Sequence, residues 1–241
     1  MNFLKLCMSV VVFATMIAAG SASAATCSNA TVTGVWGYFV GASAGQFTAD
    51  GKGNITSGSQ TVSQNGVVST QTYTGTYSLA KNCTGSININ FTGGGTSSAN
   101  IVADDANKGF QVISTDGGVA SGFSLAQGVV NCGLTGKKAT FAANLFGKIV
   151  NTAAVAYVSQ VMLDGKGKIS GSGTFVVNGT VYSGAISGTY TENADCTGTA
   201  QITPPSPLPM ANFNFVVANG GKEIFLLETD PGTVVGGYMQ Q

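Results

Sequence analysis

The chain has 241 residues, only 8% of them charged, and its ten lysines and ten acids leave no place for arginine or histidine. Without a basic patch there is nothing to meet a row of phosphates, which excludes nucleic-acid binding. Without histidine, the Ser-His and Cys-His nucleophile pairs and histidine metal sites are excluded too.

Residues 1–25 have the layout of a secretory signal: Lys5 near the start, an apolar run from Leu6 to Ala19, then small residues at Ala22, Ser23 and Ala24. The apolar run is shorter than the roughly 20 residues that cross a bilayer. Thr26 is a poor neighbour for a lipidated Cys27, which counts against a lipoprotein. The sequence therefore predicts an exported chain, secreted, periplasmic or on the cell surface, with no membrane span after cleavage. Cys7 and Lys5 leave with the signal, so nine lysines remain against ten acids. The mature cysteines are Cys27, Cys83, Cys132 and Cys196. An even set in an exported chain predicts two disulfides, with three pairings open.

Beyond the signal, 35 glycines and abundant Thr, Ser, Asn and Val predict short strands joined by tight turns. In the first strand Trp36, Tyr38 and Val40 share a face. Turn signals then follow about every ten residues: GASAG, DGKG, SQNG, AKNC, TGGGTSS, DDANKG and TDGG. Alternation is plain in YTGTY, where Tyr73 and Tyr77 share a face, and in SININF, where Ile87, Ile89 and Phe91 oppose Asn88 and Asn90. Seven turns make eight strands.

The pattern then repeats. GTYSLAKNCTG (75–85) returns as GTYTENADCTG (188–198), FTADGKGNITSG faces VMLDGKGKISGS, and STDGGVASGFSLAQ faces ETDPGTVVGGYMQQ, which aligns Asp116 with Asp230 and Gln127 with Gln241. A unit of about 100 residues is the size of a domain. The sequence thus predicts a signal at 1–25, a first β domain at 27–127 and a second at 132–241. Symmetry selects one disulfide inside each copy, Cys27–Cys83 and Cys132–Cys196. The fold class is all-β: two tandem antiparallel meanders, each a small eight-stranded barrel, with a sandwich as the alternative. In such a meander the disulfide pins one mouth and leaves the loops near 41–45, 63–66, 92–98 and 115–118 at the open one.

Several stretches invite a functional reading. DGKGN and DGKGK superficially look like calcium loops, but lysine stands where a ligand is needed and no downstream Glu completes a shell, so both are hairpin turns. The adjacent Asp104 and Asp105 form a solvated turn. Trp36, Tyr38, Tyr77 and Tyr190 are the candidate cavity-lining residues, with plain core packing as the alternative. The proline-rich TPPSPLPM (203–210) stands where the first copy has TGGGTSS, so two equivalent loops differ in stiffness. No catalytic, cofactor or metal site is assigned.

The D-G-x-G turn, the G-T-Y strand and the C-T-G corner, present in both copies, resemble a group of exported bacterial proteins with duplicated domains of this kind. That resemblance implies export and fold, and no activity. The resulting expectation is a non-enzymatic binding or surface module whose partner is an unknown small molecule or a cell-surface component. A structural or adhesive surface component and a cofactor-free barrel isomerase or cyclase are the alternatives. A single sixteen-stranded membrane barrel is disfavoured by Gly- and Ser-rich strands and by separately linked copies.

Overall fold

The computed structural model describes residues 26–104, 108–128 and 132–241. The expected signal, Asp105 and most of the GVVN linker lie outside the described residues. The first copy comprises β1 (Thr33–Val40), β2 (Ser43–Asp50), β3 (Asn54–Gln64), β4 (Val67–Leu79), β5 (Thr84–Phe91), β6 (Thr96–Ala103), β7 (Gly109–Ser114) and β8 (Ser121–Ala126). The second comprises β9 (Ala139–Ile149), β10 (Ala153–Leu163), β11 (Lys168–Val177), β12 (Thr180–Glu192), β13 (Thr197–Thr203), β14 (Ala211–Ala218), β15 (Glu223–Glu228) and β16 (Thr233–Gln240). Each set pairs in sequence order, antiparallel throughout. β8 returns to β1 and β16 to β9, so both sheets are closed barrels. The protein is all-β, two eight-stranded meander barrels in tandem.

Local chemistry sets the turns. Asn65 and Gly66 have φ of 52° and 82°, and Asn178 and Gly179 have 49° and 80°. Such consecutive positive values are what a two-residue hairpin of type I′ requires, and Asn-Gly supplies them at least cost. In the two DGKG turns the aspartate is a local acceptor. Asp50 Oδ1 accepts from the backbone N–H of Lys52 (2.7 Å) and Asn54 (2.9 Å), and Asp164 Oδ1 accepts from those of Lys166 (2.7 Å) and Lys168 (2.9 Å). The Asn54 side-chain amide also donates to Asp50 Oδ2 (2.6 Å), and that bond, with the backbone bonds, holds Asp50 at about 2; the backbone bonds hold Asp164 below its usual range.

The disulfides are Cys27–Cys83 and Cys132–Cys196, spanning 56 and 64 residues. Cys83 and Cys196 both sit at positive φ, at the corner entering β5 and β13. Each bond fastens the segment entering its barrel across one mouth. In the first copy Val32 is buried there and Tyr77 Oη lies 2.9 Å from the Asn29 carbonyl and 2.8 Å from the Val32 carbonyl. In the second, Leu134 is buried in the same way, and Glu192 accepts from the N–H (2.9 Å) and hydroxyl (2.6 Å) of Thr135.

Alternation along the final strands refines the repeat. Val40 pairs Gly122 and Tyr38 pairs Ser124, both on the inner face, whereas the inner face of β16 carries Val235 and Met239. The β15–β16 loop is therefore one residue longer in register than β7–β8, and the equivalence of Gln127 with Gln241 fails there.

The barrels are not independent. Phe39 and Ala44, on the outside of barrel 1, form one buried cluster with Ala218, Phe225 and Leu227 on the outside of barrel 2. Phe123 packs edge-on against Phe225 (5.1 Å) and Tyr238 (5.4 Å). At one end Gly232 N–H donates to the Gly66 carbonyl (2.9 Å), and at the disulfide end Gly220 N–H donates to that of Gln127 (2.9 Å). Both disulfide-pinned mouths thus point one way and both opposite mouths the other.

Candidate functional site

Barrel 1 is hollow at the end opposite its disulfide. The cavity measures about 340 Å³ and is lined by β1, β3 and β4 on one side and by β5, β6 and β7 on the other, with rim residues from the β7–β8 connection at Asp116 and Ala120. That is the lower end of the ~300–1,000 Å³ range of ligand sites. One wall is apolar, carrying Ile87, Ile89, Phe91, Phe110 and Val112. The other carries a connected polar line. Tyr73 Oη donates to Tyr38 Oη (3.0 Å), Tyr38 Oη to Gln60 Oε1 (2.8 Å), and Gln60 Nε2 to Gln71 Oε1 (2.8 Å).

Cross-strand register explains why this barrel has space and its copy does not. In barrel 1 the strand partners Val40, Ser43, Val62 and Ser69 form one row across four strands, one step nearer the mouth than Tyr38, Gly45, Gln60 and Gln71. The corresponding row of barrel 2 is Leu145, Tyr157, Phe175 and Tyr182. Three rings fill the volume that two serines and a valine leave open. Tyr157 and Phe175 pack at 4.9 Å, and the interior void recorded lower in that barrel is only about 10 Å³. The proline loop completes the filling, because Leu208 packs against the barrel 2 core and Pro205 sits beside Gly184. The glycine loop of barrel 1, in contrast, leaves its mouth uncovered: a Cβ at Gly93, Gly94 or Gly95 would meet nothing within 4 Å.

Burial, joined by the neighbouring phenol, pushes the Tyr38 hydroxyl well above its usual range, and burial does the same to Tyr73. Both remain neutral donors. Asp116 is the only charged residue among those lining the cavity. It stands at the rim, where hydrogen bonds from the hydroxyls of Ser114 and Ser97 hold its carboxyl down at about 2. Its counterpart Asp230 accepts from the N–H and side-chain amide of Asn212, each at 2.7 Å. The aligned aspartates therefore tie the β7–β8 and β15–β16 loops to the neighbouring hairpins.

The four residues singled out from sequence take different positions. Tyr38 lines the cavity. Trp36 lies beneath it, stacked on Phe47 (6.5 Å) and tilted against Phe110 (5.1 Å). Tyr77 braces the plugged mouth, and Tyr190 borders the small void in barrel 2, its buried hydroxyl without a partner among the described residues. Gln60, Gln71 and Tyr73 were not singled out. The signal for them was available: a two-residue Asn65-Gly66 turn pairs Gln64 with Val67, and counting back places Gln60 opposite Gln71.

Barrel 2 holds the other unusual group. Glu228 lies opposite Phe213 on the inner face, 6% exposed, and its Oε2 has no partner among the described residues. Burial, with the nearby Asp230 charge, raises its carboxyl to about 7. Burial and the Glu228 charge raise the Tyr157 hydroxyl to about 12. The buried carboxyl and the open cavity thus occupy different barrels. An acid–base reading needs both in one place.

These features define a pair of disulfide-pinned up-and-down barrels, one hollow and one filled. No family model and no curated protein matches the chain. Among solved structures, it is similar to the isotype 1 transferrin binding protein B from serogroup B Neisseria meningitidis, at 9% identity and a TM-score of 0.32. The match covers 82% of this chain and 64% of that one, so the chain spans less than two thirds of that protein's length. Among the described residues no helix is long and apolar enough to cross a membrane.

Proposed function

We propose that the protein is an exported binding module in which barrel 1 receives a small uncharged molecule through its glycine-rimmed mouth and barrel 2 serves as a filled buttress. The observation that carries this reading is the single cross-barrel row in which Ser43, Val62 and Ser69 stand where barrel 2 has the rings of Tyr157, Phe175 and Tyr182. The lining favours a neutral ligand, because the one rim carboxylate, Asp116, is already engaged by Ser97 and Ser114. A buried charge without a partner is strongly disfavoured, and Lys52, Lys81 and Lys108 all stand at the disulfide end, in the β2–β3, β4–β5 and β6–β7 connections. Two disulfides in a chain with a signal-like start support an oxidising, extracytoplasmic site of action.

The test is a binding screen of uncharged small molecules by two-dimensional NMR, repeated on Val112→Phe, which puts a ring into the cavity. Binding should shift barrel 1 resonances around Tyr38, Tyr73 and Gln71, and should be lost in V112F. A ligand that binds both proteins equally, or shifts only barrel 2 or the outer surface, would refute the assignment.

A further inference from the structure

The polar wall of the cavity is a directed chain of hydrogen bonds with one open end. The other acceptor within reach of Tyr73, the Gln46 carbonyl, is more distant at 3.4 Å than the 3.0 Å to Tyr38 Oη, so the chain runs from Tyr73 toward Gln71. Tyr73, Tyr38 and Gln60 each spend a donor on the next member. Gln71 is the terminus. Its oxygen is taken by Gln60 Nε2, and its own amide hydrogens have no partner among the described residues. A carboxamide carries two donors, and this one borders the cavity beside the mouth.

The chain is also fixed in place. A side chain at Gly45 would come within 2.7 Å of Tyr38 Oη and 2.8 Å of Gln60 Cβ, so the glycine gives Tyr38 its path to Gln60. Gly58 does the same for Tyr73, whose ring would lie 2.2 Å from a Cβ there. Linked donors polarise one another, which strengthens the terminal one. The opposite wall is hydrocarbon, and the only rim charge, on Asp116, is negative.

We propose that barrel 1 selects an uncharged, largely apolar molecule that carries a carbonyl acceptor, a ketone, ester or lactone, and that Gln71 Nε2 is the group that recognises it. This rests on the ligand-binding reading above. The bulk of the ligand lies against Ile87, Ile89, Phe91 and Val112, its carbonyl completes the Tyr73–Tyr38–Gln60–Gln71 chain, and anionic analogues are rejected because no cation borders the site.

The experiment is calorimetric titration with three compounds of one shape, tetralin, 1-tetralone and tetralin-1-carboxylate. Each is titrated into the wild type, Gln71→Leu, Gln71→Met and Val112→Phe. One neutral hydrogen bond corresponds to roughly a two- to tenfold gain, so the wild type should prefer the ketone over the hydrocarbon by that factor and bind the carboxylate most weakly. In Q71L and Q71M the ketone should lose its margin while tetralin binding stays within about twofold, and V112F should bind none of them. The use of two replacements, one matching the length of glutamine, separates recognition from local packing. Equal affinity for ketone and hydrocarbon in the wild type, a preference for the carboxylate, or a margin that persists in both Gln71 variants would overturn the proposal. Failure of the wild type to bind any of the three would overturn the cavity reading on which it stands.

Discussion

Replacing Glu228 by glutamine should remove about half of the pH dependence of stability between pH 5 and 8. The carboxyl is buried inside barrel 2 with one oxygen unpartnered, and burial raises it from 4.5 to about 7 in the folded protein. A carboxyl raised on folding binds its proton more tightly in the native state, so its contribution is fully present below pH 4.5 and is lost as pH rises through 7. At 1.36 kcal/mol per pH unit, the displacement corresponds to about 3 kcal/mol between pH 4 and pH 8. For a chain of this size that is a fall in melting temperature of roughly 10 °C. The sequence has no histidine to obscure the window. The other raised carboxyl, Glu223, also moves to about 7 through burial, and leaves a slope of similar size in the variant. The assay is thermal unfolding followed by circular dichroism at constant ionic strength from pH 4.5 to 8. E228Q should match the wild type near pH 4.5 and exceed it increasingly above pH 6. A variant that keeps the full wild-type slope would show that Glu228 is not the buried proton-binding group.

The two tyrosines of the repeated GTY strand should part company. Tyr77→Phe removes a hydroxyl that bonds the carbonyls of the entering segment and should cost about 1 kcal/mol, whereas Tyr190→Phe removes one that is already unpartnered and should be neutral or stabilising, read from urea midpoints. Opening either disulfide by a paired Cys→Ser change, Cys27 with Cys83 or Cys132 with Cys196, should cost about 4 kcal/mol for loops of this length. Because the barrels share one buried cluster, either loss should lower a single common transition in calorimetry, and two well-separated transitions would argue against coupling.

Much of the architecture was legible because it is written locally. The Asp-Gly turns, the Asn-Gly hairpins, the alternating Ile87, Ile89 and Phe91, and the repeat that paired the cysteines each depend on residues near in sequence. The contents of the barrels depend on rows that cross four strands, and there single-strand reading stops. Tyr38 and Tyr77 looked alike as aromatics on inner faces, yet one faces empty space and the other a plug. The difference lies in Gly45 and Gln60 on neighbouring strands. The interface was hidden for a related reason. Phe39, Phe225 and Leu227 face away from their own barrels, and only the unbroken burial of EIFLLE in β15 marks a strand covered on both sides.

The shared interface gives the duplication a physical rationale. A hollow barrel forgoes the packing that an interior normally supplies, and a cavity of this size carries a cost that grows with its volume. In barrel 1 the outer faces of β1 and β2 are covered at Phe39 and Ala44 by Ala218, Phe225 and Leu227, which restores burial to the wall whose inner face borders the cavity. Barrel 2 supports that face with a filled core, a capped mouth and a strand buried on both sides. Tyr38 thus stands between the cavity and the strand whose outer face the buttress covers. Loosening the interface at Phe225 should therefore disturb the cavity before it disturbs the fold of barrel 2.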